Sequence, residues 1–327
     1  MINRRQALAL AMASTATLTT GQVWAQDAAW PTKPITLVLP FPAGGQTDGV
    51  ARMLAKNIEP LLGQPVVVDN RPGANSLIGT TMVARSTPDG HTLLLNMTAL
   101  VSNPILLPNV SYDPHKEFAP VARLYEIPAL WAVPGNGSKT LAEFIEKAKA
   151  AKEPLNFGTT GHASSSHYYG EMFARAANIK LNHIPYKGEA PMLPDLSAGR
   201  VDAGVVSSAS GVTFGADGRL RLLAVSGSHR WKALPDVPTF QELGIPGITT
   251  ESFCGIFAPA GTPKSVVEKL NKAINQVMAT PEFQKQMLAY GLEVAPVTTP
   301  EQFAAIMRKA ADEWTAIKKD SSIRIDQ

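Results

Sequence analysis

Ile35 to Arg52 reads I-T-L-V-L-P-F-P-A-G-G-Q-T-D-G-V-A-R, and it restricts the chain more than any other stretch. The short, mostly apolar run Ile35 to Leu39 suits a strand buried on both faces. Pro-Ala-Gly-Gly then turns the chain, and helical periodicity begins after Thr47 or Asp48, either of which can serve as the N-cap. A strand of this kind, followed at once by a helix, points to an α/β fold. The turn has two readings. Its backbone N–H groups lie at a helix N-terminus, where the dipole favours an anion such as a carboxylate. Alternatively, the loop only redirects the chain. These residues alone leave both open.

The order of parts then repeats. After the opening unit come a helix ending at Gly63, a second buried strand at Val66 to Val68, a helix over Leu77 to Arg85, a Pro-Asp-Gly turn and a strand at Thr92 to Leu95. From Leu155 the same order restarts: a strand, the small-residue loop Gly158 to Ala163, and a helix capped by Ser164 or Ser165. A strand at His183 to Pro185, the turn Tyr186-Lys187-Gly188, a helix around Met192 to Ser197 and a strand at Val201 to Val206 follow. Each half predicts a mainly parallel sheet flanked by helices. Two extended segments, Val121 to Pro134 and Thr250 to Pro259, read as crossings between the halves, and two crossings make a hinge. Helices are expected over Lys264 to Met278, Pro281 to Ala289 and Pro300 to Lys318. The expected division is residues 26–127 for the first part of lobe one, 128–254 for lobe two and 255–327 for the return to lobe one. Ligands of open α/β sheets bind beyond the carboxyl ends of the strands, so both glycine loops should face one cleft.

Residues 1–25 read as a signal peptide: Arg4 and Arg5, an apolar run from Ala7 to Leu18, then Val23-Trp24-Ala25 at the cleavage site. Export by the Sec or the twin-arginine route places the protein in the periplasm. Its removal leaves 302 of 327 residues, enough for two cores, with 28 basic against 27 acidic side chains. A near-neutral chain without a Lys/Arg block argues against a nucleic-acid partner. The single cysteine, Cys254, lies in an apolar stretch and reads as a buried, inert thiol. The six histidines look scattered, and His162 and His167 lack the spacing of a helical metal pair, so neither a metal nor a cofactor is expected. No Gly-x-Ser-x-Gly elbow is present, and Ser165 and His167 point apart on a helix, which argues against an enzyme.

The segments K-P-I-T-L-V-L-P-F-P-A-G-G-Q-T-D, G-Q-P-V-V-V-D-N-R-P-G-A, P-D-G-H-T-L-L-L, I-P-Y-K-G-E-A-P, L-P-D-V-P-T-F-Q-E-L-G-I-P-G and F-A-P-A-G-T-P occur in this order. The ordered set closely resembles the Bug-type substrate-binding proteins of tripartite tricarboxylate transporters, over essentially the whole chain from Pro31. The resemblance implies a two-lobed periplasmic binding protein of the type II, Venus-flytrap kind, working as a monomer. It would close on a small carboxylic acid, whether a di- or tricarboxylate, another acidic metabolite or an aromatic acid, and deliver it to a membrane permease. A sensor subunit for a membrane kinase, or a cleft hydrolase, are the alternatives. By the same resemblance, the ligand carboxylate is gripped in lobe one at Phe41, Ala43, Gly44, Gly45, Gln46, Thr47 and Asp48, with Thr98 nearby. Asp48 is expected to cap the helix or hold a bridging water. In lobe two the matching residues are Thr160, Gly161, His162, Ser164 and Ser165, together with Ser207 and Ser208. The second-lobe loops depart from the usual family wording, so they are expected to choose the ligand.

Overall fold

The computed structural model describes residues 30–319 apart from 163, 228, 246, 247 and 249–251, so the expected signal peptide lies outside the described residues. In chain order, β1 (Ile35–Leu39), α1 (Gln46–Leu62), β2 (Val66–Asn70), α2 (Leu77–Ala84), β3 (Thr92–Met97), α3 (Ala99–Leu106) and β4 (Phe118–Glu126) form the first run. The second run is β5 (Leu130–Pro134), α4 (Leu141–Ala150), β6 (Leu155–Thr159), α5 (Ser165–Ala176), β7 (Leu181–Pro185), α6 (Glu189–Ser197), β8 (Ala203–Val206), α7 (Ser208–Ala216) and β9 (Leu220–Val225). Then β10 (Phe253–Pro259), α8 (Lys264–Met278), α9 (Pro281–Ala289) and α10 (Pro300–Lys319) follow.

The strands form two five-stranded sheets with the same topology, β2-β1-β3-β10-β4 and β7-β6-β8-β5-β9. In each, the three strands on one side run parallel, and the fourth position holds a strand antiparallel to both neighbours. That fourth strand is in each case one that has just crossed between the sheets: β5 enters the second, and β10 returns to the first. The expected two-lobed α/β architecture is what the chain adopts. One strand differs in setting: β2 was expected to be buried, yet it is the edge of its sheet, and Val67 is 55% exposed.

Both faces of each sheet are covered, as parallel strands require. In the first, α1 (Leu54, Ile58) and α8 (Leu270, Ile274) pack on one face, while Val38, Phe257, Phe303 and Met307 fill the other. In the second, Trp131 lies on Phe157 at 5.2 Å between ring centroids and 11° between planes, with Phe144 and Phe173 around it. Leu130, Met192 and Trp231 belong to the opposite face. Gly170 lets α5 approach β6, because a Cβ there would sit 2.0 Å from the Phe157 ring. Cys254 is fully buried, and burial pushes its thiol up to about 12, which makes it inert as expected.

The first crossing, 127–129, is bonded to Ser226 and Ser252, which stand at the two ends of the second connection between the lobes. The Ala129 N–H donates to Ser226 Oγ at 2.8 Å, and the Ser226 N–H donates to the Ala129 carbonyl at 2.9 Å. Ser252 Oγ donates to the Ile127 carbonyl, and the Phe253 N–H donates to Thr98 Oγ1 at 2.8 Å. The lobes also meet away from the crossings. Tyr168 of α5 packs edge-on against Trp314 of α10 at 5.1 Å, and Trp231 Nε1 donates to the Gly291 carbonyl at 3.0 Å.

Candidate functional site

A cleft of about 780 Å³ lies between the sheets. Its walls are segments that leave the carboxyl ends of strands: 40–42 after β1, 97–99 at and after β3, 160–162 after β6, and 205–207 at the end of β8. Residues 127–129 and Ser252 of the two crossings line it too, as does Trp314. Among the described residues no Lys or Arg lines it, and Glu189 is its only carboxylate.

Of the residues expected at the site, Phe41, Thr98, Thr160, Gly161, His162, Ser164, Ser165 and Ser207 line this cleft. Ala43, Gly44, Gly45, Gln46, Thr47, Asp48 and Ser208 are not among its lining residues. Local bonding accounts for several of these. Helix α1 begins at Gln46, so Gly45 is its N-cap in place of Thr47 or Asp48. Asp48 reaches back from the third helical position: its Oδ2 accepts from the Gly44 N–H at 3.0 Å and from Arg52 Nε at 3.0 Å, while Oδ1 accepts from Asn70 Nδ2 at 2.9 Å. The Arg52 guanidinium, and then the Gly44 and Asn70 donors, hold this carboxyl down at about 2 against the opposing effect of burial. One N–H expected for a ligand carboxylate is therefore taken by the protein's own. Gln46 Nε2 donates to the Tyr290 carbonyl at 2.6 Å, Thr47 is buried, and Ser208 is 1% exposed.

The second-lobe loop is built around Ser166, whose separate role no motif in the sequence marks. Its Oγ accepts from the Thr160 N–H at 3.0 Å and lies 3.0 Å from Thr160 Oγ1 and 2.9 Å from Ser164 Oγ. Ser164 caps α5 by accepting from the His167 N–H. Ser207 caps α7 in the same way, accepting from the Ser210 N–H, while its own N–H donates to Glu189 Oε1 at 2.6 Å. Ser207 Oγ thus has a structural task. Glu189 places a carboxylate on this wall.

On the first-lobe wall, Ala74, Asn75 and Ser76 have consecutive φ angles of 46°, 52° and 71°, a left-handed run that non-glycine residues rarely adopt. Asn103 Nδ2 donates to the Asn75 carbonyl at 2.7 Å and helps to hold it. Such strain concentrates at binding sites. Asn75, Ser76, Ser102 and Asn103 all line the cleft. No motif marks Ser102 or Asn103 in the sequence, whereas Asn75 and Ser76 follow the Arg-Pro-Gly-Ala segment directly. Tyr169 lines the cleft, while Tyr168 packs against Trp314.

The histidines are less scattered than the sequence suggested. The parallel register of β6 and β7 sets His183 beside Phe157, and the capped start of α5 brings His167 to the same place. His162 completes the group from the loop.

The family described as the tripartite tricarboxylate transporter family receptor (TctC) matches residues 50–322. The chain belongs to this family. The "UPF0065 protein in tcbD-tcbE intergenic region" of Pseudomonas sp. (strain P51) is 36% identical across 100% of this chain and 97% of its own. The solved structure of periplasmic binding protein BugD is 35% identical, with a TM-score of 0.76 over 90% of this chain and 99% of BugD. MatC from Rhodopseudomonas palustris, solved with bound malate, is 30% identical, with a TM-score of 0.75 over 89% of this chain and 100% of MatC. As a TctC-family receptor the chain is of the binding-protein kind, and its neighbours in structure are binding proteins rather than enzymes.

Proposed function

We propose that the protein is an extracytoplasmic solute-binding protein that captures a small carboxylic acid by hinge closure and delivers it to a tripartite tricarboxylate-type membrane transporter. The observation that carries this reading is the cleft, walled by strand ends of both lobes in a chain similar to one solved with malate. Neutral donors dominate the walls: Thr98, Ser102 and Asn103 from lobe one, Thr160 and Ser165 from lobe two. A hydrogen bond to a charged group contributes roughly 1.5–3 kcal/mol net, so a few in a closed cleft reach the about 8 kcal/mol of micromolar binding. The apolar share of the wall, Phe41, Tyr169 and Trp314 among it, suits a carbon skeleton or ring between polar ends.

The test is a thermal-shift panel of dicarboxylates, tricarboxylates, acidic amino acids and aromatic acids. One or a few acids should stabilise the protein, by about 2.7 kcal/mol at 100 times the dissociation constant. A panel without any shift overturns the reading, and turnover of a hit, followed by mass spectrometry, replaces it with an enzyme.

A further inference from the structure

His162, His167 and His183 come from three different parts of the second lobe: the loop after β6, the first turn of α5 and the middle of β7. One ring nitrogen of each lies within 4.8 Å of the other two. The His167 and His183 rings stack at 3.5 Å between centroids and 12° between planes. His162 meets them edge-on at 5.7 and 5.0 Å. The group grades from inside to outside: His167 is 2% exposed, His183 is half-buried, and His162 is exposed and lines the cleft.

We infer that His162, His167 and His183 form a site for one divalent transition metal of the zinc, cobalt or nickel class, open towards the cleft, where a ligand oxygen takes a remaining coordination position. The second half of this inference rests on the carboxylate reading above. Three imidazoles with an open position are a familiar donor set for such ions. Outer oxygen partners, which ligating imidazoles usually have, are also at hand: Thr159 Oγ1 lies 2.6 Å from His183 Nε2, and Glu171 Oε1 lies 3.8 Å from His167 Nε2. Metal–nitrogen bonds of about 2.0–2.1 Å bring tetrahedral donor atoms to about 3.3 Å from one another. Binding therefore draws His162 inward on its exposed loop and turns the stacked rings so that both aim at one point. The charge argument is independent of this geometry. No Lys or Arg of the described residues lines the cleft, and Glu189 adds negative charge, so a carboxylate entering it lacks a cation that the metal supplies.

The experiment uses chelator-stripped, dialysed protein titrated with CoCl2 or ZnCl2 alone. One equivalent should bind, with a visible cobalt absorption band and a raised melting temperature. His162→Ala, on the exposed loop, should weaken metal affinity at least tenfold, and His183→Gln should do the same, while His115→Ala leaves it unchanged. No cobalt band, or equal affinity in the His162 and His115 variants, overturns the metal site. The carboxylate panel is then run with excess EDTA and with one equivalent of zinc. Carboxylate binding that is at least tenfold tighter with zinc supports the open position; equal binding overturns it. Carboxylate stabilisation in EDTA without any metal binding leaves the transport reading standing and removes this one alone. Metal binding with no response to any acid overturns the carboxylate reading instead.

Discussion

Asp48 gathers three donors on one carboxylate, from Gly44, Arg52 and Asn70, at a position 5% exposed. Its pKa of about 2 lies below the ordinary 3.8, so the unfolded chain binds the proton more readily than the folded one. The resulting stability is complete above about pH 4 and is lost as pH falls towards 2. Because Arg52 is about half exposed, its share is screened, and a contribution on the order of 1–2 kcal/mol is expected. Asp48→Asn should lose that amount in urea unfolding at pH 7, with the gap closing between pH 4 and pH 2. A gap that stays constant with pH would show that the carboxylate's charge is not what matters. At this scale the sequence was only partly legible. It exposed the glycine loop and the polar second-lobe loop, since small residues at strand ends are visible in one dimension. It hid the role of Ser166, whose three oxygen and nitrogen neighbours converge only when the loop folds, and it hid the approach of His183, which depends on strand register.

Among the elements, α8 shows what local pattern can specify. Its bounds, Lys264–Met278, match the spacing of Val266, Val267, Leu270, Ile274 and Val277, all of them buried. By contrast α3 and α7 were not foreseen. The first contains Pro104 and the second contains Gly211, Gly215 and a run of small polar residues, so neither presents a periodic apolar face. Both are held by their surroundings, α7 beginning at the Ser207 cap. Contact between elements also fixes residue size. Gly170→Ala should clash with Phe157 and move α5 off β6, at a cost of about 1–3 kcal/mol in denaturant unfolding. Since α5 starts at the cleft, ligand affinity should fall as well. Wild-type stability in this variant would mean that the aromatic cluster around Trp131 adjusts freely.

For the molecule as a whole, the repeated order of strands and helices revealed two lobes, and the two extended stretches revealed the crossings. The position of β5 and β10 inside their sheets was not legible, because strand order is set by pairing in space and leaves no mark in composition or period. The paired crossings predict how the protein moves. Ser226 accepts the Ala129 N–H, so Ser226→Ala leaves a buried donor without that partner and should cost about 1–3 kcal/mol in thermal or urea unfolding. With a stabilising acid in hand, small-angle scattering should show a smaller radius of gyration on saturation, as hinge closure requires. An unchanged radius would favour binding without domain movement. The return of β10 to the first sheet also has a consequence for how the chain is made. Between β3 and β4 lies a gap that only Phe253–Pro259 fills. A ribosome or an export channel releases those residues after the whole of the second lobe. Until then the first sheet keeps two inner edges unpaired, in a state prone to wrong partners. The second lobe has all its strands by β9 and the rest of its core, Trp231 to Ile248, before β10, so it can fold earlier, and the half that comes first in the gene is the half that finishes last.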